Sequence, residues 1–305
     1  FFNQYGSVIE EASTRLFLNR LEGDTRLSIE TKGQTNDFII NENLQQSPGY
    51  QVDKLPEIET VTIARDLLPE IAPGLLTLNS EARFSSMRLR FTEVTTGDIG
   101  VINDAFGQLV FGADEDQSLG DRDRELGLNE GIVNRFDTRQ ELSMAFNAGP
   151  ININPFATGR FTAYDTAIED FSPVETERYR FWGAAGVRSG TQLTRINNNI
   201  QSDAFDLFRI RHIIEPSGTL WTAETTVQNE DLPVYDDDVE GLNEGTAIRI
   251  ALDQTWQTKR GGPGRYRDVD VLTVNTSYVN HNDTAPESTI GRFFDARPEL
   301  SVPGE

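Results

Sequence analysis

Between Gly149 and Tyr164 the chain reads GPININPFATGRFTAY, and its apolar and polar positions separate with a period of two. One set is Ile151, Ile153, Ala157, Gly159, Phe161 and Ala163. The other is Asn152, Asn154, Phe156, Thr158, Arg160, Thr162 and Tyr164. Side chains alternate across a strand, so this pattern predicts a β-strand with two chemically different faces. The same period recurs further on. Tyr179, Phe181, Ala185 and Val187 alternate with Arg178, Arg180, Trp182 and Arg188. Ile248, Ile250, Leu252 and Trp256 alternate with Arg249, Asp253, Thr255 and Gln257. In the first half, Leu76, Leu78, Ala82 and Phe84 oppose Thr77, Asn79, Glu81 and Arg83.

Helical periodicity is scarce, and the helical turns it predicts are short. Ile9–Leu21 and Asp24–Gln34 read as a hairpin joined at Glu22-Gly23-Asp24. Further strands are expected over Lys54–Leu68, Gly74–Phe91 and the run NRFDTRQELSMAFNAG, with a long segment, Thr92–Gly131, intervening. Strands of ten or more residues exceed the usual length in globular sheets and favour a barrel wall over a sandwich. Pro155 and Pro216 fall inside two of these runs; each removes a ladder donor, so strand starts or bulges are predicted there.

Composition narrows the choice of solvent for each face. No run approaches the roughly 18 to 20 continuous apolar residues of a membrane helix, which excludes helical spanning but not a barrel with alternating strands. There are 49 acidic and 27 basic residues among 305, a formal charge of −22, which disfavours nucleic acid as a partner. Acids cluster in Ala113–Glu130 and in Glu230–Glu244, which holds seven acids and no base. Arginines fall mainly in the alternating segments. The chain lacks cysteine, so disulfides and cysteine-based chemistry are excluded. No cofactor or metal site is expected. The Asp-rich stretch YDDDVEGLNEG does not have the spacing of an EF-hand loop. His212 and Glu215 point to opposite faces of one strand and cannot act as a dyad, and no Ser–His–acid arrangement converges, so an enzyme is not expected.

Several segments, in order, resemble the β-barrel domain of the LptD family of outer-membrane lipopolysaccharide-assembly proteins. They are FFNQY with RLFLNRLEGDTRLSIETKGQTNDF, YQVDKLPEIETV, VNRFDTRQELSMAFNAGPININPFATGRFTAYD, RHIIEPSGTLW with LPVYDDD, and RYRDVDVLTVNTSYV with RPELSVPG. The collinear match spans nearly the whole chain, although each motif taken alone is a strand pattern shared by many barrels. The resemblance implies an all-β fold: the wall of an antiparallel transmembrane β-barrel in the bacterial outer membrane. At about 10 residues per tilted strand plus turns, this length supplies roughly 12 to 14 strands, about half of the wall that family builds. Residues 1–305 are then expected to be a partial barrel domain, with the family's periplasmic jellyroll and terminal barrel strands outside the chain.

The resemblance also implies that the protein delivers lipopolysaccharide to the outer leaflet, with a lipoprotein plug in the lumen and a periplasmic bridge protein as partners. Alternation then assigns Arg160, Arg178, Arg180, Arg209, Arg211 and Arg249 to the lumen. It assigns Ile151, Ile153, Phe161, Phe181, Val187, Ile248, Ile250 and Leu252 to outer-membrane lipid. The lumen arginines have two readings: a guide for phosphates, which a guanidinium grips in bidentate fashion, or cross-strand pairs with nearby carboxylates. The excess of acid favours pairing. Both acidic loops are expected to project from one rim. The alternative architecture is a soluble β-sandwich that binds carbohydrate, in which the apolar set would pack into a closed core between two sheets.

Overall fold

The computed structural model describes residues 14–33, 49–172, 177–236, 238–242, 244–262 and 264–282. The motifs FFNQY and RPELSVPG lie outside these. The described chain folds into one antiparallel sheet: β1 (Thr14–Glu22), β2 (Thr25–Gly33), β3 (Tyr50–Asp66), β4 (Leu76–Phe91), β5 (Val133–Met144), β6 (Phe146–Ala148), β7 (Ile151–Tyr164), β8 (Tyr179–Gly190), β9 (Leu193–Ser202), β10 (Leu207–Thr225), β11 (Gly245–Arg260) and β12 (Arg267–His281). Neighbours in sequence are neighbours in space throughout. Among the described residues β1 and β12 do not pair, so the sheet is open.

Two pairs of these strands are single strands with an interruption. β5 and β6 keep one register against β7, with Ser143 opposite Phe156 and Phe146 opposite Ile153. The break falls at Ala145, beside Pro155. β8 and β9 likewise keep one register against β10, with Gly190 opposite Ser217 and Leu193 opposite Ile214. Their break, Thr191–Gln192, faces Pro216. Both prolines therefore sit mid-strand, not at starts or bulges as the sequence suggested. The missing donor is absorbed as a gap in the neighbouring strand. Ten through-going strands result, in an up-and-down meander.

The connections divide by rim. Gly23–Asp24 and Gly149–Pro150 are two-residue turns, each with its glycine at positive φ (61° and 63°), where a side chain would be strained. The links at 67–75, 203–206 and 261–266 lie at this same rim. The opposite rim carries 92–132, 165–178 and 226–244. The first of these holds α1 (Asp104–Phe111), capped by Asn103, and α2 (Leu119–Glu125), begun by a Ser118–Asp121 capping box. No helix among the described residues is long and apolar enough to cross a membrane.

The register separates most of the two residue sets onto opposite faces of the sheet. Directly opposed residues share a face, so the register strings Leu18, Ile29, Ile58, Phe84, Phe136, Ala163 and Tyr179 into one row from β1 to β8. Val187, Leu220 and Ile248 continue across β8, β10 and β11. This outer face has no second layer among the described residues: Phe181 is 55% exposed and Ile250 54%. The packed core lies on the other, inner face. There Tyr50, Met87, Leu89, Phe91, Val133 and Tyr164 are covered by Ile168, Phe171, Val227, Leu232 and Tyr235 from the long connections.

Candidate inner-face ion network

On the inner face the charged residues stand in rows across strands. Ser28, Glu59, Arg83, Asp137, Thr162 and Arg180 are consecutive cross-strand partners from β2 to β8. One row away run Glu57, Ser85, Arg135 and Tyr164. Arg83 Nε donates to Glu59 at 2.8 Å, Arg160 Nε to Asp137 at 3.1 Å, and Arg139 to Glu141 at 2.8 Å. Arg139 and Arg160 face each other directly, a repulsive placement made tolerable by Glu81, Asp137 and Glu141 around them. Acids are thus strand residues here as well as members of the two acidic clusters.

The connection 226–244 completes the network. It was expected to project from its rim beside Ala113–Glu130. It does leave from the same rim as that segment, but it folds back over the inner face. Asp236 is held by Lys54 Nζ at 2.6 Å and by Arg135. Asp238 receives Arg83 at 2.7 Å, and its backbone carbonyl receives Arg160. Glu240, fully buried, accepts from Arg135 at 2.7 Å, from Tyr164 Oη at 2.9 Å and from the Asp236 amide at 2.8 Å. Arg180 uses its fork on backbone, donating to the carbonyls of Val227 (3.0 Å), Val239 (2.7 Å) and Leu242. The physical reason for the fold-back is that the wall's cations outnumber its own acids here. Bringing three carboxylates in from the loop compensates buried charge that would otherwise be costly.

Apolar contacts hold the same connection. Leu242 packs into a cluster with Phe156, Trp182, Ala184, Trp221, Ala223 and Ala247. The Arg188 guanidinium lies 4.0 Å from the Phe156 ring centroid. Trp182 and Trp221 are therefore buried inner-face residues, while Tyr179 is exposed on the outer face. His212 stacks on Trp256 at 4.2 Å on the outer side and bonds Gln254, a structural arrangement. Burial alone would raise the Asp236 and Asp238 carboxyls. The nearby cations win: Arg135 and Lys54 lower Asp236, and Arg83 and Arg160 hold Asp238 well below the usual carboxylate range.

The six arginines singled out from sequence do not share one fate. Arg160 and Arg180 are buried in the network. Arg249 is half-buried on the inner face, opposite Thr219. Arg178 lies just ahead of β8, exposed at the long-connection rim rather than within the strand. Arg209 and Arg211 lie far from the network, near the short-turn rim. Lys54, Arg83 and Arg135 were not singled out, although Arg135, Asp137, Arg139 and Glu141 at alternate positions are a visible signal of a charged inner row. Among the described residues, no cluster of three or more His, Asp or Glu side chains could hold a metal ion.

No protein-family model matches the chain, and no curated protein matches it.

Proposed function

We propose that the chain is wall of an antiparallel β-barrel in the bacterial outer membrane, acting, as the LptD resemblance implies, in delivery of lipopolysaccharide to the outer leaflet. The observation that carries this reading is the bare outer face. From Ile151 to Ala163 the outward positions of β7 are Ile, Ile, Pro, Ala, Gly, Phe and Ala. Twelve steps at about 3.3 Å make roughly 40 Å along the strand, and about 28 Å after a tilt near 45°. That matches the ~25 Å apolar band of barrel strands. Short turns on one rim and long connections on the other also follow the pattern of such barrels, and in this reading the short-turn rim faces the periplasm.

In this reading the outer face meets lipid, and the inner face bounds a passage that 226–244 narrows. The work is conduction and not covalent chemistry. Lipopolysaccharide, a lipoprotein plug and a periplasmic bridge protein are the partners, and nucleic acid is not. The sandwich alternative needs a second sheet over the apolar face, whereas the described residues form one sheet. The test is depletion of the full-length protein in its own cells, with surface lipopolysaccharide and detergent requirement measured together. Undiminished surface lipopolysaccharide, or a monodisperse protein without detergent, would overturn the reading.

A further inference from the structure

Most inner-face arginines are neutralised, but a second basic group is not. Near the short-turn rim, β9 to β12 extend past the end of β7 and enclose a cleft of about 370 Å³. Its lining includes Arg209 and Arg211 from β10, Lys259 from β11, Asn198 from β9 and Asp268 from β12. Lys259 pairs with Asp268 at 3.1 Å. Arg209 and Arg211 have no ion pair among the described residues. Arg209 lies over the Phe208 ring, at 5.2 Å; in a chain of charge −22 that pairs most other inner-face arginines, two guanidiniums without a carboxylate partner in one cleft are an exception.

The backbone supplies a second observation. Arg209 sits at a register shift between Phe208 and Ile210 and has φ +61°, a left-handed conformation disfavoured for a non-glycine residue. Thr258 Oγ1 holds this bulge, donating to the Arg209 carbonyl at 3.1 Å. At this irregularity Arg209 stands against three residues of β9, Asn198–Ile200, and Arg209 and Arg211 both line the one cleft with Lys259. Strained backbone that brings like charges together gains from an anion bridging them.

We propose that this cleft binds a phosphomonoester or diphosphate group. Two planar guanidiniums offer bidentate donors to tetrahedral oxygens, Lys259 adds a point charge, and the Asn198 amide adds a neutral donor. Resting on the barrel reading, the cleft lies at the periplasmic mouth, where a phosphorylated headgroup would be met first. A lipid headgroup and free diphosphate share this chemistry.

The experiment is calorimetric titration of the full-length protein, in uncharged detergent, with inorganic pyrophosphate and separately with short-chain phosphatidic acid. The variants are Arg209→Gly, which suits φ +61° and so keeps the fold, and Arg211→Gln. The control is Arg65→Gln, which removes an equal charge at the same rim from a pair with Asp24. Each cleft variant should weaken binding at least ten-fold while Arg65→Gln leaves it unchanged. Tighter binding of phosphatidic acid than of pyrophosphate would assign the site to a lipid headgroup; equal or weaker binding would assign it to free phosphate. Unaltered affinity in both cleft variants, or no binding to the parent protein, overturns the proposal. Phosphate binding that persists in a protein unable to deliver lipopolysaccharide would sink the transport reading and leave the site standing.

Discussion

Arg135 of β5 and Glu240 of the 226–244 connection meet at 2.7 Å with neither side chain exposed to solvent, across 105 positions of sequence. This pair links the wall to the segment that covers it. Around it the Tyr164 hydroxyl and the Asp236 amide also donate to Glu240. A buried pair adds little stability over an apolar substitute, but breaking one half leaves a bare charge.

Arg135→Gln is accordingly expected to destabilise the docked connection by about 3–5 kcal/mol, the cost of an uncompensated buried carboxylate. The double variant Arg135→Gln, Glu240→Gln should recover much of that loss. Limited proteolysis within 226–244 reads the effect; equal cleavage of the single and double variants would show that the pair is not coupled.

Acid should release the connection only late. Asp236 and Asp238 have lowered folded values, so their contribution is fully present above the ordinary carboxylate pKa near ~3.9 and is lost as pH falls through the lowered values. Val239 is fully buried and the chain has no cysteine, so a Val239→Cys variant gives one reporter thiol. Its protection from a thiol reagent should be the same when assayed after incubation at pH 7 or pH 5. Exposure already at pH 5 would contradict the ion-pair account.

Gly186 is expected to tolerate no side chain. A Cβ there would lie 2.4 Å from the Leu220 carbonyl oxygen, 2.7 Å from the Phe156 ring and 2.8 Å from Trp221 Cβ. Gly186→Ala should cost about 1–3 kcal/mol through overpacking, read as a lowered midpoint of chemical denaturation. Gly159→Ala, with nothing within 4 Å of its Cβ, serves as the neutral comparison.

Ile250→Arg distinguishes lipid from water at the outer face. If that face meets lipid near mid-membrane, the change costs roughly 2–4 kcal/mol and lowers the yield of assembled barrel. If it meets water, the cost stays within about 0.5 kcal/mol. Assembly of the full-length variant, followed by heat-modifiable gel migration, separates the two outcomes.

The sequence by itself determined the faces. A strand's period is two, so Ile151, Phe161, Phe181, Ile250 and their kind had to share one side, and Arg160, Arg180 and Arg249 the other, whatever the sheet's neighbours. Turn chemistry was equally local: Gly23–Asp24 and Gly149–Pro150 carry their own conformational preference. Only the tertiary structure decided where 226–244 goes. Its acidity reads as a solvated loop until Lys54, Arg83 and Arg135, from strands up to 182 positions away (Lys54 to Asp236), are brought beneath it. The prolines behave similarly, because whether a missing donor matters depends on the strand alongside. Arg209 and Arg180 look alike in the alternation, yet Arg180 is held by loop carbonyls while Arg209 lies at a register shift with no ion pair among the described residues. Periodicity sets a side chain's direction, but its partners come from parts of the chain that no local pattern connects.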